Sequence, residues 1–400
     1  MTTVSFSGLF VIAAVAFLAP LLLGLAPRLR VPAVVLEIVV GIVIGPSVLG
    51  WVHIDLPIAV LSMLGLAFLL FLAGLEIDVE CLQGAALRLA STSLALSFAL
   101  GLAVGYLAFA AGLVKAPLFL AIVLLATSLG LLVPVLKDAG QTQTKFGQFV
   151  IAAASLADFA AVLLLSLLFS RESGSLFAKV LLLFGFALSV ALIAVTIARA
   201  ERFSWLSNAL NRLQDTTAQI RVRGAVVLLI GLVALAAHFG VELLLAAFMA
   251  GTVLSLVDRD EMMSHPQFRT KLQAIGYGFL IPIFFIASGV QFDLGSLLAA
   301  PASLLKVPVF LVAMLVVRGL PAILYVRYLG ARLALVAGIL KATSLPFIVV
   351  GTQIGLALGV IQHSTAAAFV AAGLISVLVF PAVGLALSRG RTPAVSADAA

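Results

Sequence analysis

The stretch FGQFVIAAASLADFAAVLLLSLLFS, residues 146–170, holds one charged side chain, Asp158, at its midpoint, with Lys145 and Arg171 just beyond its ends. It exceeds the roughly 20 residues that cross about 30 Å of hydrocarbon as a helix. A carboxylate at the centre of such a segment costs about 3 kcal/mol on the insertion scale, so an acid placed there marks an ion or proton site. Its neighbours Ala152, Ala153, Ala154, Ala157, Ala160 and Ala161 are small. Small side chains let other helices approach closely, which predicts that Asp158 faces protein rather than lipid. Ser155 lies one turn earlier on the same face, placed to support the carboxylate or to ligate an ion. A buried ion-pair member that fixes packing is the plainer alternative.

Working outward, the chain is 64% hydrophobic and 10% charged with a mean hydropathy of +1.30, which leaves no polar surface for a soluble domain. Apolar segments recur near 6–26, 32–50, 57–76, 86–113, 117–136, 146–170, 175–198, 222–238, 241–257, 274–292, 302–326, 333–358 and 364–388. The fold class expected is an all-α polytopic membrane protein of about thirteen spans. The first segment lacks the basic start of a cleavable signal and is read as the first span. The net charge of +7 reflects loop placement, not nucleic-acid binding. Arg28, Arg30, Arg88, Lys137, Lys145, the 199–223 and 259–271 segments, Arg327, Arg332, Arg389 and Arg391 follow odd-numbered spans, whereas Lys115, Arg171, Lys179 and Lys306 are on the other side. Basic loops stay cytoplasmic, which predicts an outside amino terminus and a cytoplasmic carboxyl terminus in the cell membrane. The lone Cys81 and the scattered His53, His238, His265 and His363 offer no metal cluster. No nucleophile–base pair appears, so neither enzyme chemistry nor a cofactor is expected.

The chain repeats itself. Ala126-Thr127-Ser128-Leu129 returns as Ala342-Thr343-Ser344-Leu345, an offset of 216. Gly74-Leu75-Glu76-Ile77-Asp78 returns in pattern as Gly289-Val290-Gln291-Phe292-Asp293, and Glu37 with Gly41 and Gly45 returns as Glu242 with Ala246 and Ala250. The matched spans are seven apart, and an odd separation inverts one half across the membrane. Inverted repeats characterise secondary transporters, whose sites form at broken helices near the midplane. The expected organisation is a first repeat over 1–170, a linking span and loop over 171–221, a second repeat over 222–388, and a short tail over 389–400. Thr127, Ser128 and Pro134 in the fifth span, and Thr343, Ser344 and Pro346 in the twelfth, put hydroxyls and helix breakers inside apolar stretches. Either these segments unwind beside a cavity, or they are ordinary proline kinks.

Six more charges need a role. Arg318 interrupts the otherwise uncharged 307–326 stretch; a guanidinium keeps its proton, so it either pairs with an acid such as Asp158 or faces the carbonyl end of a broken helix. Lys341 either complements those half-helix ends or snorkels toward the cytoplasmic surface. Glu37 and Glu242 suit an entry funnel or hydrogen bonds between scaffold helices. Glu76 and Asp78 read as solvated helix-end residues.

LEIVVGIVIGPSVLG (36–50), FLAGLEID (71–78), ATSLGLLVPVLKDAG (126–140) and PIFFIASG (282–289), in that order, resemble the Kef-type branch of the monovalent cation:proton antiporters. The likeness covers nearly the whole chain. It implies thirteen helices in inverted repeats, crossed discontinuous helices five and twelve, a homodimer, a transport aspartate matched by Asp158, and a basic residue on helix eleven matched by Arg318. Two features depart from the pattern. Relatives usually carry Asn, Asp or Gln immediately before the transport aspartate, where Ala157 stands here. Many also continue into a cytosolic nucleotide-binding domain, so regulation of that kind is expected to need a separate subunit.

The mechanism these residues suggest is competition, because burial favours the neutral acid and a bound cation favours the ionised one. Na⁺ or K⁺ would be held by Asp158 with Ser155, Thr127, Ser128, Thr343 or Ser344 and freed carbonyls, while Arg318 and Lys341 compensate charge. One acid and a fixed arginine suggest electroneutral exchange. The alternatives are a K⁺ efflux channel and a transport-inactive scaffold or sensor.

Overall fold

A computed structural model describes residues 6–25, 32–76, 84–142, 144–169, 176–200, 212–213, 216–257, 266–299 and 301–388. Arg28, Arg30, Asp78, Cys81, Arg171, His265, Arg389, Arg391, most of the 199–221 connector and the 389–400 tail lie outside them. Among the described residues, nine helices are long and apolar enough to cross a membrane, and Ala33–Ile44, Leu243–Leu256 and Pro346–Ala357 are shorter apolar helices. One of the nine, Pro301–Ala342, is two spans run together; Gly330, at φ 78°, turns the chain between them, a conformation that glycine adopts without steric cost.

The expected segments are all present, with shifted ends. The second span is helical only over Ala33–Ile44, because its apolar run continues through Gly45 and Pro46 after the helix has stopped. The third, Leu56–Leu75, starts where Asp55 accepts a hydrogen bond from the Ile58 N–H (3.0 Å), a side-chain cap for an otherwise unpaired donor. The tenth begins eight residues early at Pro266, in a polar turn that hydropathy alone excludes, and runs through a π turn at Gly276–Leu280 to Val290.

The fifth and twelfth spans are interrupted. Pro117–Leu125 and Leu129–Asp138 flank an extended Ala126 (ψ 128°), and Val326–Ala342 and Pro346–Ala357 flank an extended Thr343 (ψ 123°). Pro346 opens its half-helix, where its missing N–H costs nothing. The fifth span instead breaks at the Thr-Ser pair, and its second half-helix runs through position 134, so a simple proline kink does not describe it.

The chain divides into two compact units that do not follow the expected repeat boundaries: 1–80 with 159–295, and 81–158 with 296–400. In the first, a Cβ at Gly41 would strike the Ile286 carbonyl and one at Gly289 the Ile38 carbonyl, while Gly74 and Gly251 meet the carbonyls of Phe248 and Phe71. The repeat-related Gly74 and Gly289 thus do one job twice, bringing spans three and nine, and ten and two, into backbone contact. Ile12, Ile44, Ile58, Ile283 and Ile286 fill the space around the second crossing. The second unit packs Leu132, Phe146, Val150, Tyr325, Val336 and Leu340 into its core. It holds both interrupted spans and Asp158.

Candidate functional site

The two breaks give the second unit its polar centre. Interrupting a helix leaves unpaired carbonyls on the incoming half and unpaired N–H groups on the outgoing half. At Leu129–Asp138 the first N–H, that of Leu129, donates to Asp158 Oδ2 (3.1 Å). The Thr127 hydroxyl lies 3.2 Å from Asp158 Oδ1 and 3.3 Å from the Ala154 carbonyl oxygen, so its single hydrogen serves one or the other. Asp158 is 8% exposed. Its charge sits at the positive end of a half-helix dipole, held by neutral donors.

The opposite half-helix end is met by Arg318, 1% exposed. Its Nε donates to the Leu124 carbonyl (2.6 Å) and Nη2 to that of Val123 (3.0 Å), two of the acceptors that the end of Pro117–Leu125 leaves over. Of the two roles open from sequence, Arg318 therefore takes the helix-end one; no ion pair within bonding range joins it to Asp158 among the described residues. Local sequence aims it there. Pro321 has no N–H and its ring would crowd the carbonyl of Val317, and the chain widens into a π turn over Leu315–Gly319, then tightens to a 3₁₀ turn over Leu320–Tyr325. Arg318 stands in the widened turn. A cavity of about 420 Å³ beside this span has an apolar lining that includes Val312, Leu335 and Gly338 and none of the candidate ligands.

The breaks touch. Ser344 Oγ donates to the Thr127 carbonyl oxygen (3.4 Å), and Ser128 is buried in the same interruption. The hydroxyls of Ser155 and Thr343 are buried with no hydrogen-bond partner among the described residues. Such groups are rare in a folded protein because each forfeits its hydration. Arg318 Nη1 is unpartnered as well. Thus Asp158, Thr127, Ser128, Ser155, Thr343, Ser344 and Arg318 belong to one unit, and the first six are oxygen-bearing.

Lys341 departs from the snorkelling alternative. It is 3% exposed, and its Nζ donates to Ser93 Oγ (2.9 Å) and the Tyr325 hydroxyl (3.0 Å) while lying 5.1 Å from the Tyr325 ring centroid. Hydroxyl oxygens and an aromatic face hold the ammonium in place of a carboxylate. Its place in the last turn before the Thr343 break sets it where a cation is favoured by the dipole.

Glu37 and Glu242 belong to the other unit and differ from one another. Glu37 is buried within Ala33–Ile44, whereas Glu242 is half-buried just ahead of Leu243–Val257, its backbone N–H donating to Ser166 Oγ (3.3 Å). Their sequence equivalence is not a structural one. Glu76 is half-buried at the end of the third span rather than solvated.

Sequence reasoning missed Ser93, Tyr325 and Ser376. Ser376 Oγ accepts from the Ser344 N–H (3.3 Å) and lies 3.1 Å from the Ser344 carbonyl oxygen and 2.7 Å from that of Gly373. The signal was present: at the repeat offset, the thirteenth span is the mate of the sixth, and an isolated serine near the position equivalent to Asp158 merits notice.

Two interrupted helices meeting beside a buried carboxylate, in an all-helical chain of membrane-crossing length, define the fold of a secondary transporter. The sequence profile described as "Sodium/hydrogen exchanger, transmembrane" matches residues 13–385, and the chain belongs to that family. A Bacillus subtilis protein named for Na⁺/H⁺ antiport, YjbQ, is 31% identical over 399 residues, covering 95% of this chain and 63% of the relative; the chain thus spans less than two thirds of that protein's length. Antiporter 3 of Methanocaldococcus jannaschii, also named for Na⁺/H⁺ exchange, is 26% identical over 94% of each chain. The structure of the sodium proton antiporter MjNhaP1 from the same archaeon matches 96% of this chain and 98% of its own at a TM-score of 0.64 and 16% identity. That likeness concerns the fold.

Proposed function

We propose that this chain is a secondary active antiporter that exchanges a monovalent cation, Na⁺ or K⁺, for H⁺, with the two competing for Asp158. The observation that carries the reading is a buried carboxylate that accepts from a helix-terminal N–H and lies within hydrogen-bond distance of the Thr127 hydroxyl, in the unit that also holds the hydroxyls of Ser155 and Thr343, buried without a partner among the described residues. A proton neutralises the acid. A cation keeps it ionised and takes oxygen ligands from Asp158, Ser155, Thr127, Ser128, Thr343 and Ser344. Relatives named for Na⁺/H⁺ antiport support the class of substrate.

Arg318 stays charged throughout and caps the half-helix end, so the exchangeable charge resides on one acid and the simplest stoichiometry is one proton per cation, electrically silent. Lys341 is the charge-compensating neighbour of the second break. Ala157 leaves Asp158 without the polar neighbour usual in the resembling family, and the Thr127 hydroxyl takes over its supporting role. The inverted repeats over 1–170 and 222–388, the outside amino terminus, cell-membrane residence and assembly as a homodimer belong to the same reading. Glu37 and Glu242 are scaffold acids in it.

The purified chain in vesicles under a pH gradient, with the voltage clamped, separates the alternatives. An antiporter dissipates the gradient when Na⁺ or K⁺ is added. A K⁺ channel responds only once the clamp is released, and a scaffold responds to neither.

A further inference from the structure

The proposed cycle leaves Ser376 of the thirteenth span unused, yet this hydroxyl touches the second break at two points. Interrupting the twelfth span frees both the N–H and the carbonyl of Ser344 from helical bonding. Ser376 Oγ accepts from that N–H at 3.3 Å. It also lies 3.1 Å from the Ser344 carbonyl oxygen and 2.7 Å from the carbonyl of Gly373, one turn back in its own helix. A serine has one hydrogen to donate. When it points to Gly373, both lone pairs of the Ser344 carbonyl are free; when it turns to Ser344, one is taken.

The repeat gives this geometry a counterpart. The breaks are related by an offset of 216, which carries Asp158 to Leu374, two residues from Ser376. On the first break Asp158 holds the Leu129 N–H and the Thr127 hydroxyl; on the second, Ser376 holds the Ser344 backbone. The two are also connected, since Ser344 Oγ donates to the Thr127 carbonyl and the Thr127 hydroxyl reaches Asp158. Each break is stitched by one polar side chain from the span that follows it in its own repeat, one charged and one neutral.

We propose that Ser376 is a positioning residue that sets the affinity and size preference of the cation site by presenting the Ser344 carbonyl oxygen as a ligand. Backbone carbonyls are the ligands from which alkali-ion selectivity is commonly built. With a cation bound, the Ser376 hydrogen turns to Gly373 and the Ser344 oxygen is released to the ion; with Asp158 protonated, it turns back and occupies that oxygen. Ser376 itself does not touch the ion. The inference rests on the antiport reading.

Ser376→Ala, in a fully buried position, takes away the acceptor that fixes the Ser344 N–H, so the peptide that carries the ligand oxygen is no longer held in orientation, and Ser376→Thr keeps the hydroxyl. In vesicles, the Ala variant is expected to raise the cation concentration for half-maximal exchange about tenfold, with a maximal rate within about twofold of the parent. Its preference among Li⁺, Na⁺ and K⁺ should flatten, and the Thr variant should restore both properties. The same rise should appear in the Na⁺ concentration that protects the detergent-purified protein against heat. Unchanged half-saturation and ion preference in the Ala variant would overturn the proposal, as would a fall in maximal rate alone, or a Thr variant as weak as Ala. If the parent moves no protons yet its Na⁺ protection weakens in the Ala variant, the antiport reading fails and the positioning role stands. If the parent shows neither transport nor protection, both fall.

Discussion

Replacing Asp158 by Asn separates charge from shape. The carboxylate accepts from the Leu129 N–H at 3.1 Å and lies 3.2 Å from the Thr127 hydroxyl. An asparagine keeps one acceptor and gains a donor. Its oxygen remains on the Leu129 N–H, which has no other acceptor at the start of its half-helix, and its NH₂ turns to Thr127 Oγ1. That oxygen can receive it, because the Thr127 hydrogen has a second acceptor 3.3 Å away in the Ala154 carbonyl. Both the Leu129 N–H and the Thr127 hydroxyl keep a partner, and what is lost is chiefly the extra strength of charged over neutral hydrogen bonds, about 1 kcal/mol. Thermal unfolding in detergent should therefore register a small loss and the purified protein should remain monodisperse. Exchange depends on the ionised form and should fall to the background of empty vesicles for both Na⁺ and K⁺. Exchange retained at more than a tenth of the parental rate in a correctly folded Asp158→Asn variant would place the coupling acid elsewhere and refute the reasoning.

Further outcomes follow from the same contacts. Ser155→Ala and Thr343→Val remove buried hydroxyls that have no partner among the described residues, so stability should hold within about 0.5 kcal/mol while the cation concentration for half-maximal exchange rises; a loss of stability with unaltered half-saturation would make them structural. Arg318→Lys preserves charge but loses the fork that spans the Leu124 and Val123 carbonyls, and should cost roughly 1.5–3 kcal/mol in unfolding measurements. Competition at Asp158 requires the half-saturating cation concentration to rise as pH falls, because protons then occupy the acid; a value independent of pH between 6 and 9, read at about half-unit steps, contradicts it. Gly289→Ala pushes a methyl group into the Ile38 carbonyl and should destabilise by about 1–3 kcal/mol or more, seen as reduced yield and a lower melting temperature.

Much of this site was legible because apolar context makes polar residues conspicuous. Asp158, Arg318 and the Thr-Ser pairs at 127 and 343 stand out for that reason, and the duplication of the pairs located both interruptions. What stayed hidden was bonded to backbone. The carbonyls of Val123 and Leu124 that receive Arg318, and the Ser344 peptide that engages Ser376, have no side-chain signature, and their partners lie up to 195 residues away. Lys341 was ambiguous because its acceptors, Ser93 and Tyr325, are ordinary residues of other spans. Helix ends were misjudged where hydropathy and helicity part company, as at Pro266 and Gly45.

The order of residues along the chain bears on how this protein enters the membrane. Arg318 and Lys341 emerge late in synthesis, and each is unwelcome in hydrocarbon by about 2.5–3.5 kcal/mol. The oxygens that receive them, on Val123, Leu124, Ser93 and Tyr325, all precede them in the chain. Translation thus delivers these two buried cations to a dock already built, and the carboxyl-terminal half, expressed without the amino-terminal one, should stall at the translocon or be degraded.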